Sequence, residues 1–159
     1  MNEIAFLSLG SNLGNRADNL RAAIAQLEAA GRLLARSAMY ETQPVEVPNQ
    51  PWFLNCMVAM ETKLAPRELL NLALRIEAAM GRLRVREKGA RNIDIDVVLF
   101  GDVVIDEPGL RIPHRAMHQR RFVLEPLVEI APQLRHPEIG KTMQELLAEL
   151  PTGPMVRRL

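Results

Sequence analysis

The chain has 159 residues, 48% of them hydrophobic and 25% charged, enough for one globular domain with a substantial buried core. A formal net charge of +1 removes any bulk attraction for nucleic acid or an anionic membrane, so anion binding has to come from local clusters of cations. One cysteine, Cys56, rules out an internal disulfide and a multi-cysteine metal site. With no signal-peptide pattern and no apolar run of membrane-spanning length, the expected compartment is the cytoplasm.

In chain order, Ile4–Leu9 reads as a short strand ending at Gly10, followed by a turn-rich connector, Ser11–Arg16. A helix follows, opened by Asp18, with Leu20, Ala23, Ile24, Leu27 and Ala30 at helical spacing and Gly31 as its C-terminal cap. The strand–glycine–helix order lacks the Gly-Lys-Ser/Thr ending of a P-loop, so the connector is read as a tight turn. Leu33–Thr42 is expected to be a second strand. Three prolines between Gln43 and Pro51 then enforce a long surface loop. A third strand runs from Trp52 to about Thr62, and alternation puts Phe53 and Asn55 on one face. An aromatic ring beside an amide suits a flat heterocycle, or else a core aromatic with an incidental Asn. Trp52, at the loop mouth, is either a stacking platform or a plug on the core. Cys56, among apolar neighbours, is expected to be a buried, inert thiol.

Pro66 starts a second helix, with Leu69, Leu72, Leu74, Ile76 and Met80 on its apolar side, Glu77 near its end and Gly81 closing it. Five cations then fall within Arg82–Arg91, next to Arg91-Asn92-Ile93-Asp94-Ile95-Asp96-Val97-Val98-Leu99-Phe100. On a strand, Asp94 and Asp96 share one face about 6.6 Å apart, while Ile93, Ile95 and Val97 take the other. That pair suits oxygen-seeking divalent cations shared with a phosphate substrate, and the adjacent arginines suit the phosphates themselves. The apolar run Val97–Phe100 argues for a central strand, not an edge. Gly101-Asp102 reads as a hairpin turn into Val103–Ile105. A second cationic patch spans Arg115–Arg121, with His114 just before it. Neither His114 nor His118 has zinc-ligand spacing. Thr142–Glu149 forms a short amphipathic helix, and the chain from Pro151 is expected to fray. No repeat or linker interrupts the chain, so residues 1–159 are taken as a single domain. The element order suggests an α+β, ferredoxin-like sandwich: a mostly antiparallel sheet with helices on one face and a cleft on the other.

Several segments together resemble the 6-hydroxymethyl-7,8-dihydropterin pyrophosphokinase family of folate biosynthesis. They are Ser8–Gly14, Tyr40–Pro44, Gln50–Asn55, Glu77–Arg82, Arg91–Asp96, and Pro113-His114 with Arg120-Arg121-Phe122. The resemblance implies a ferredoxin-like core and pyrophosphoryl transfer from ATP to the pterin hydroxymethyl group, with two magnesium ions. Asp94 and Asp96 would hold both Mg2+ ions, with Arg82 and Arg91 joining them as the catalytic set. Glu77, Arg82, Arg84, Arg91, His114 and Arg120 would bind ATP; Thr42, Val45, Phe53, Asn55 and Phe122 would bind the pterin. Where many members carry an aromatic before Gly-x-Arg, this chain has Lys88, and Phe53 replaces a common tyrosine. The partners implied are small molecules only, without nucleic acid or membrane, and the chain is expected to act as a monomer.

Overall fold

A computed structural model describes residues 2–43, 51–81 and 92–159. A six-stranded sheet is built from β1 (Glu3–Ser11), β2 (Gly31–Arg36), β3 (Tyr40–Thr42), β4 (Phe53–Thr62), β5 (Asp94–Phe100) and β8 (Val156–Arg158). Its strands run β5-β1-β4-β3-β8, with β2 also on β4, and every pairing is antiparallel. The ferredoxin-like, mostly antiparallel α+β reading holds.

Side-chain alternation on the long central strands sets up two layers of core. Ala5, Leu7 and Leu9 of β1 and Leu54, Cys56, Val58 and Met60 of β4 face α1 (Arg16–Leu27) and α2 (Pro66–Ala79). Those helices bury Leu20, Ala23, Ile24 and Leu27, and Leu69, Ala73 and Ile76, at helical spacing. Residues of opposite parity, Phe6, Met57 and Ala59, pack with Val98 and Leu99 against α3 (Arg121–Ile130) and α4 (Met143–Ala148). Both faces of the sheet are therefore covered. The expectation of one open face survives only at the end of the sheet where Phe53, Asn55, Asp94 and Asp96 lie. Among the described residues no helix is long and apolar enough to cross a membrane.

Several local expectations change. Asn15, not Asp18, caps α1: its side chain accepts from the Asp18 N–H at 3.1 Å. Gly31 is no left-handed cap, since its φ of 174° is extended. A Cβ there would lie 2.4 Å from the Glu61 carbonyl, so glycine permits the close approach of β2 to β4. The stretch expected as one strand from Leu33 to Thr42 is broken between β2 and β3, which share one edge of β4 at different heights. Leu74, assigned to the apolar side of α2, is 50% exposed. After the Gly101 turn the chain does not fold back on β5; β6 (Ile105–Glu107) pairs with β7 (Leu110–Ile112) in a separate ribbon. Short helices are expected toward the C-terminus, but none is placed by sequence at the residues of α3. The C-terminal segment is not frayed, because β8 pairs with β3.

The sharpest difference concerns β5, which lies at the edge of the sheet among the described residues. Its apolar run is explained by cover on both faces and along the edge. Glu77 of α2 accepts from the Ile95 N–H at 2.8 Å, and the His114 N–H donates to the Val98 carbonyl at 2.9 Å. A register shift at Phe6/Leu7 against β5 turns both Val98 and Leu99 toward α3 while Val97 and Phe100 keep to the α1/α2 side.

Candidate active site

Ile93, just before β5, and Ile95 and Val97 on it are buried toward α1 and α2, which leaves Asp94 and Asp96 half-buried on the opposite face. The antiparallel registers carry that face across the sheet. Asp94 pairs with Gly10 and Asp96 with Ser8; Gly10 pairs in turn with Asn55, and Ser8 with Met57. One row thus runs Asp94–Gly10–Asn55, with Tyr40 beyond it and Thr42 beside Phe53 one step further along. Gly10 belongs to β1 and not to a turn. A Cβ at this position would lie 2.7 Å from Asn55 Nδ2 and 3.5 Å from Phe53 Cδ1, so both side chains lie over its backbone. Only glycine leaves room for them.

Asn55 is 4% exposed and its Oδ1 has no hydrogen-bond partner among the described residues. The neighbouring Thr42 is 5% exposed, and its Oγ1 likewise has no partner among the described residues. A buried acceptor left unpaired costs about 1–3 kcal/mol, a cost relieved by a ligand that brings N–H or O–H groups. Tyr40 is already committed: its hydroxyl donates to Glu129 at 2.6 Å, and burial, reinforced by that carboxylate, pushes its pKa to about 12. Trp52 is not part of this face. Having the parity of Leu54, it lies on the α1 side, with the Arg157 guanidinium 5.3 Å from its ring centroid.

At the Asp94 end, His114 Nδ1 accepts from the Ala116 N–H at 3.2 Å, which leaves the ring proton on Nε2 as a donor. Burial holds His114 below its ordinary pKa of 6.5; the Arg120 charge adds to this and Asp94 opposes it. The ring is therefore neutral near pH 7. Arg120 occupies the N-cap position of α3 and its guanidinium lies 5.5 Å from the centroid of Phe122, a half-buried ring in the first turn of that helix. Glu77 is 4% exposed and acts on the backbone between the two aspartates through Ile95. The Asn92 side chain donates to the Met80 carbonyl and ties the end of α2 to the start of β5.

The fold thus gathers Asp94, Asp96, Thr42, Phe53 and Asn55 on one sheet face, with His114, Arg120 and Phe122 contributed from the segment leading into α3. Arg82, Arg84, Arg91 and Val45 lie outside the described residues, as do Lys88 and most of both flanking loops. Sequence reasoning passed over Gly10 and the buried Ser8. Their signal was present in the alternation of β1, where they interrupt an otherwise apolar strand on the same parity.

Residues 6–132 match the model of the 7,8-dihydro-6-hydroxymethylpterin-pyrophosphokinase family. The chain belongs to this family. It is 47% identical over 152 residues to the 2-amino-4-hydroxy-6-hydroxymethyldihydropteridine pyrophosphokinase of Methylorubrum extorquens, covering 94% of this chain and 95% of that protein. The Pseudomonas aeruginosa protein of the same name is 40% identical over 148 residues, covering 92% and 91% respectively. The folic acid synthesis protein fol1 of Schizosaccharomyces pombe is 40% identical over 153 residues, but the chain, 95% of which is covered, spans only 21% of its length. Among solved structures, wild-type HPPK-DHPS of Plasmodium falciparum superposes with a TM-score of 0.76 at 17% identity, over 94% of this chain and 45% of that one. At that identity the likeness speaks for the pyrophosphokinase fold alone.

Proposed function

We propose that the protein transfers pyrophosphate from ATP to 6-hydroxymethyl-7,8-dihydropterin, giving AMP and the pterin diphosphate. The observation that carries this reading is the row on the sheet face: a buried amide whose oxygen has no partner among the described residues, beside an aromatic ring, and across the intervening β1 two half-exposed carboxylates on β5. Family membership supports it independently.

In this reading Phe53 and Phe122 bracket the pterin ring. Asn55 accepts from its N–H groups, and Thr42 and Val45 add hydrogen bonds along the pocket wall. The phosphates are held by His114, through its Nε2–H, and by Arg82, Arg84, Arg91 and Arg120, whose guanidinium forks fit phosphate oxygens. Glu77 lies toward the nucleoside and also fixes the strand that carries the aspartates. The donor chemistry of Asp94 and Asp96 fits magnesium: hard oxygen ligands, half-exposed and on one face, of the kind that bind this ion together with substrate phosphates. Two magnesium ions bound there would neutralise phosphate charge and acidify the attacking hydroxyl. The remaining contribution of the protein is positioning. The pterin hydroxyl is aimed at the β-phosphorus by residues locked in the sheet, and AMP leaves from the opposite side. The chain works as one cytoplasmic, monomeric domain on these small molecules, without nucleic acid or membrane.

Turnover by Asp96→Ala at saturating magnesium tests the assignment. The variant should be inactive while still folding and binding pterin. Activity near that of the wild type would remove the aspartates from the mechanism.

A further inference from the structure

The C-terminal strand does more than extend the sheet. Beyond the reading above, and resting on it, we propose that Met155–Arg158 is a strap that positions the pterin pocket, with Arg157 as its positioning residue. Three sets of contacts place it there. The Gln43 N–H donates to the Met155 carbonyl at 3.0 Å, and the Met155 N–H donates to Gln43 Oε1 at 3.2 Å. Next, β8 pairs with β3 so that Val156 opposes Thr42 and Arg157 opposes Glu41. Finally, Arg157 donates to Glu41 at 2.6 Å and lies over the Trp52 ring.

Glu41 links the strap to the start of α1. Its other oxygen is 3.0 Å from Arg16, and Arg16 in turn donates to the Trp52 carbonyl at 3.0 Å. Hydrogen bonds from Arg157 first, and then from Arg16, hold the Glu41 carboxyl below its usual pKa, so it stays charged between its two cations. Asn12 donates to the Pro51 carbonyl at 3.2 Å and completes the anchorage. Pro51 and Trp52 immediately precede Phe53, and Gln43 immediately follows Thr42. The strap therefore ties residues adjacent to two of the groups assigned to the pterin, from the face of the sheet opposite the ligand. None of these contacts touches the phosphate side, where Asp94, His114 and Arg120 lie.

An exposed ion pair adds little to global stability, and the Arg157 side chain is 58% exposed. Arg157→Ala should therefore fold, and the lost restraint should appear as weaker pterin binding. Loosening one ordered aromatic contact predicts a rise of about five-fold in KM and Kd for the pterin, equivalent to about 1 kcal/mol where a decade is about 1.4 kcal/mol.

Trp52 is the only tryptophan in the chain, so its fluorescence reads the strap directly, without activity. In ligand-free Arg157→Ala, acrylamide should quench Trp52 more readily than in the wild type. The KM for ATP and kcat should stay within about two-fold, while Arg157→Lys, which keeps a cation for Glu41 and the ring, should recover most of the pterin affinity. Unchanged pterin affinity in Arg157→Ala would overturn the proposal. So would equal losses for pterin and ATP, or a failure of Arg157→Lys to recover any affinity. If the wild-type protein binds the pterin without turning it over, the pyrophosphokinase reading fails and the Kd comparison alone decides the strap. A wild-type protein that binds no pterin would overturn both.

Discussion

Substituting Gly10 by alanine tests whether the sheet face reads the pterin as argued. The added Cβ would lie 2.7 Å from Asn55 Nδ2, where ordinary contact begins at 3.4 Å, so the amide must retreat by about 0.7 Å. It cannot do so freely, because Asn55 is 4% exposed and sits between paired neighbours on β1 and β3. Two consequences follow. Overpacking of a buried site costs about 1–3 kcal/mol of stability, which for a chain of this size lowers Tm by about 2–12 °C. A displaced amide also misaligns one or two hydrogen bonds to the ligand, costing about 1–3 kcal/mol of affinity, or between about five-fold and a hundred-fold. Isothermal titration with pterin and, separately, with a non-hydrolysable ATP analogue should show that loss for the pterin alone. The double variant Gly10→Ala/Asn55→Ala relieves the clash, so it should recover stability over Gly10→Ala while binding pterin as poorly as Asn55→Ala. Wild-type pterin affinity in Gly10→Ala, or an equal fall in affinity for both ligands, would refute the reasoning.

Two further outcomes rest on buried polar groups. Glu77→Leu leaves the Ile95 N–H without its acceptor at 2.8 Å, at a cost of about 1–3 kcal/mol and a Tm lower by about 2–12 °C. Glu77→Gln keeps an acceptor and should lose far less; equal losses in calorimetry would mean the hydrogen bond is not what matters. The second concerns pH. His136 is held below 6.5 by burial first and then by His118, with Glu138 opposing. The unfolded chain therefore takes up this proton at a higher pH than the native one, and its stabilising contribution is complete above 6.5 and lost as the pH falls below it. Urea midpoints should begin to fall below about pH 6.5, and His136→Asn, whose oxygen can still accept from the Glu138 and Ile139 N–H groups, should remove its share of that decline and leave the share of His114, which burial also holds below 6.5. A midpoint that stays level until carboxylates titrate near 4.5 would contradict this assignment.

Much of the site was legible because it breaks local rules. Asp94 and Asp96 interrupt an apolar strand, Asn55 sits among buried neighbours on β4, and both departures mark residues on the shared face. What sequence could not supply was register. Period-two alternation tells which side chains share a face of one strand, but not that Gly10 sits between Asn55 and Asp94. The edge position of β5 was hidden for a related reason: its apolar run is satisfied by α3, by Glu77 and by His114, partners from distant parts of the chain. Helix α3 escaped notice because Pro126 lies inside it and cationic residues lead into it, so its local signal reads as a loop. The short β8 has little strand propensity of its own and is held by pairing with Tyr40–Thr42 and by the Arg157–Glu41 contact. In each of these cases tertiary partners, not local preference, decided the structure.

The most direct measurement is the identity of the nucleotide product. Incubated with ATP, magnesium and 6-hydroxymethyl-7,8-dihydropterin, the protein should release AMP in step with a pterin carrying two added phosphates, because the site as read places the pterin hydroxyl against the β-phosphorus. ADP with a singly phosphorylated pterin would put the attack on the γ-phosphorus and contradict the account.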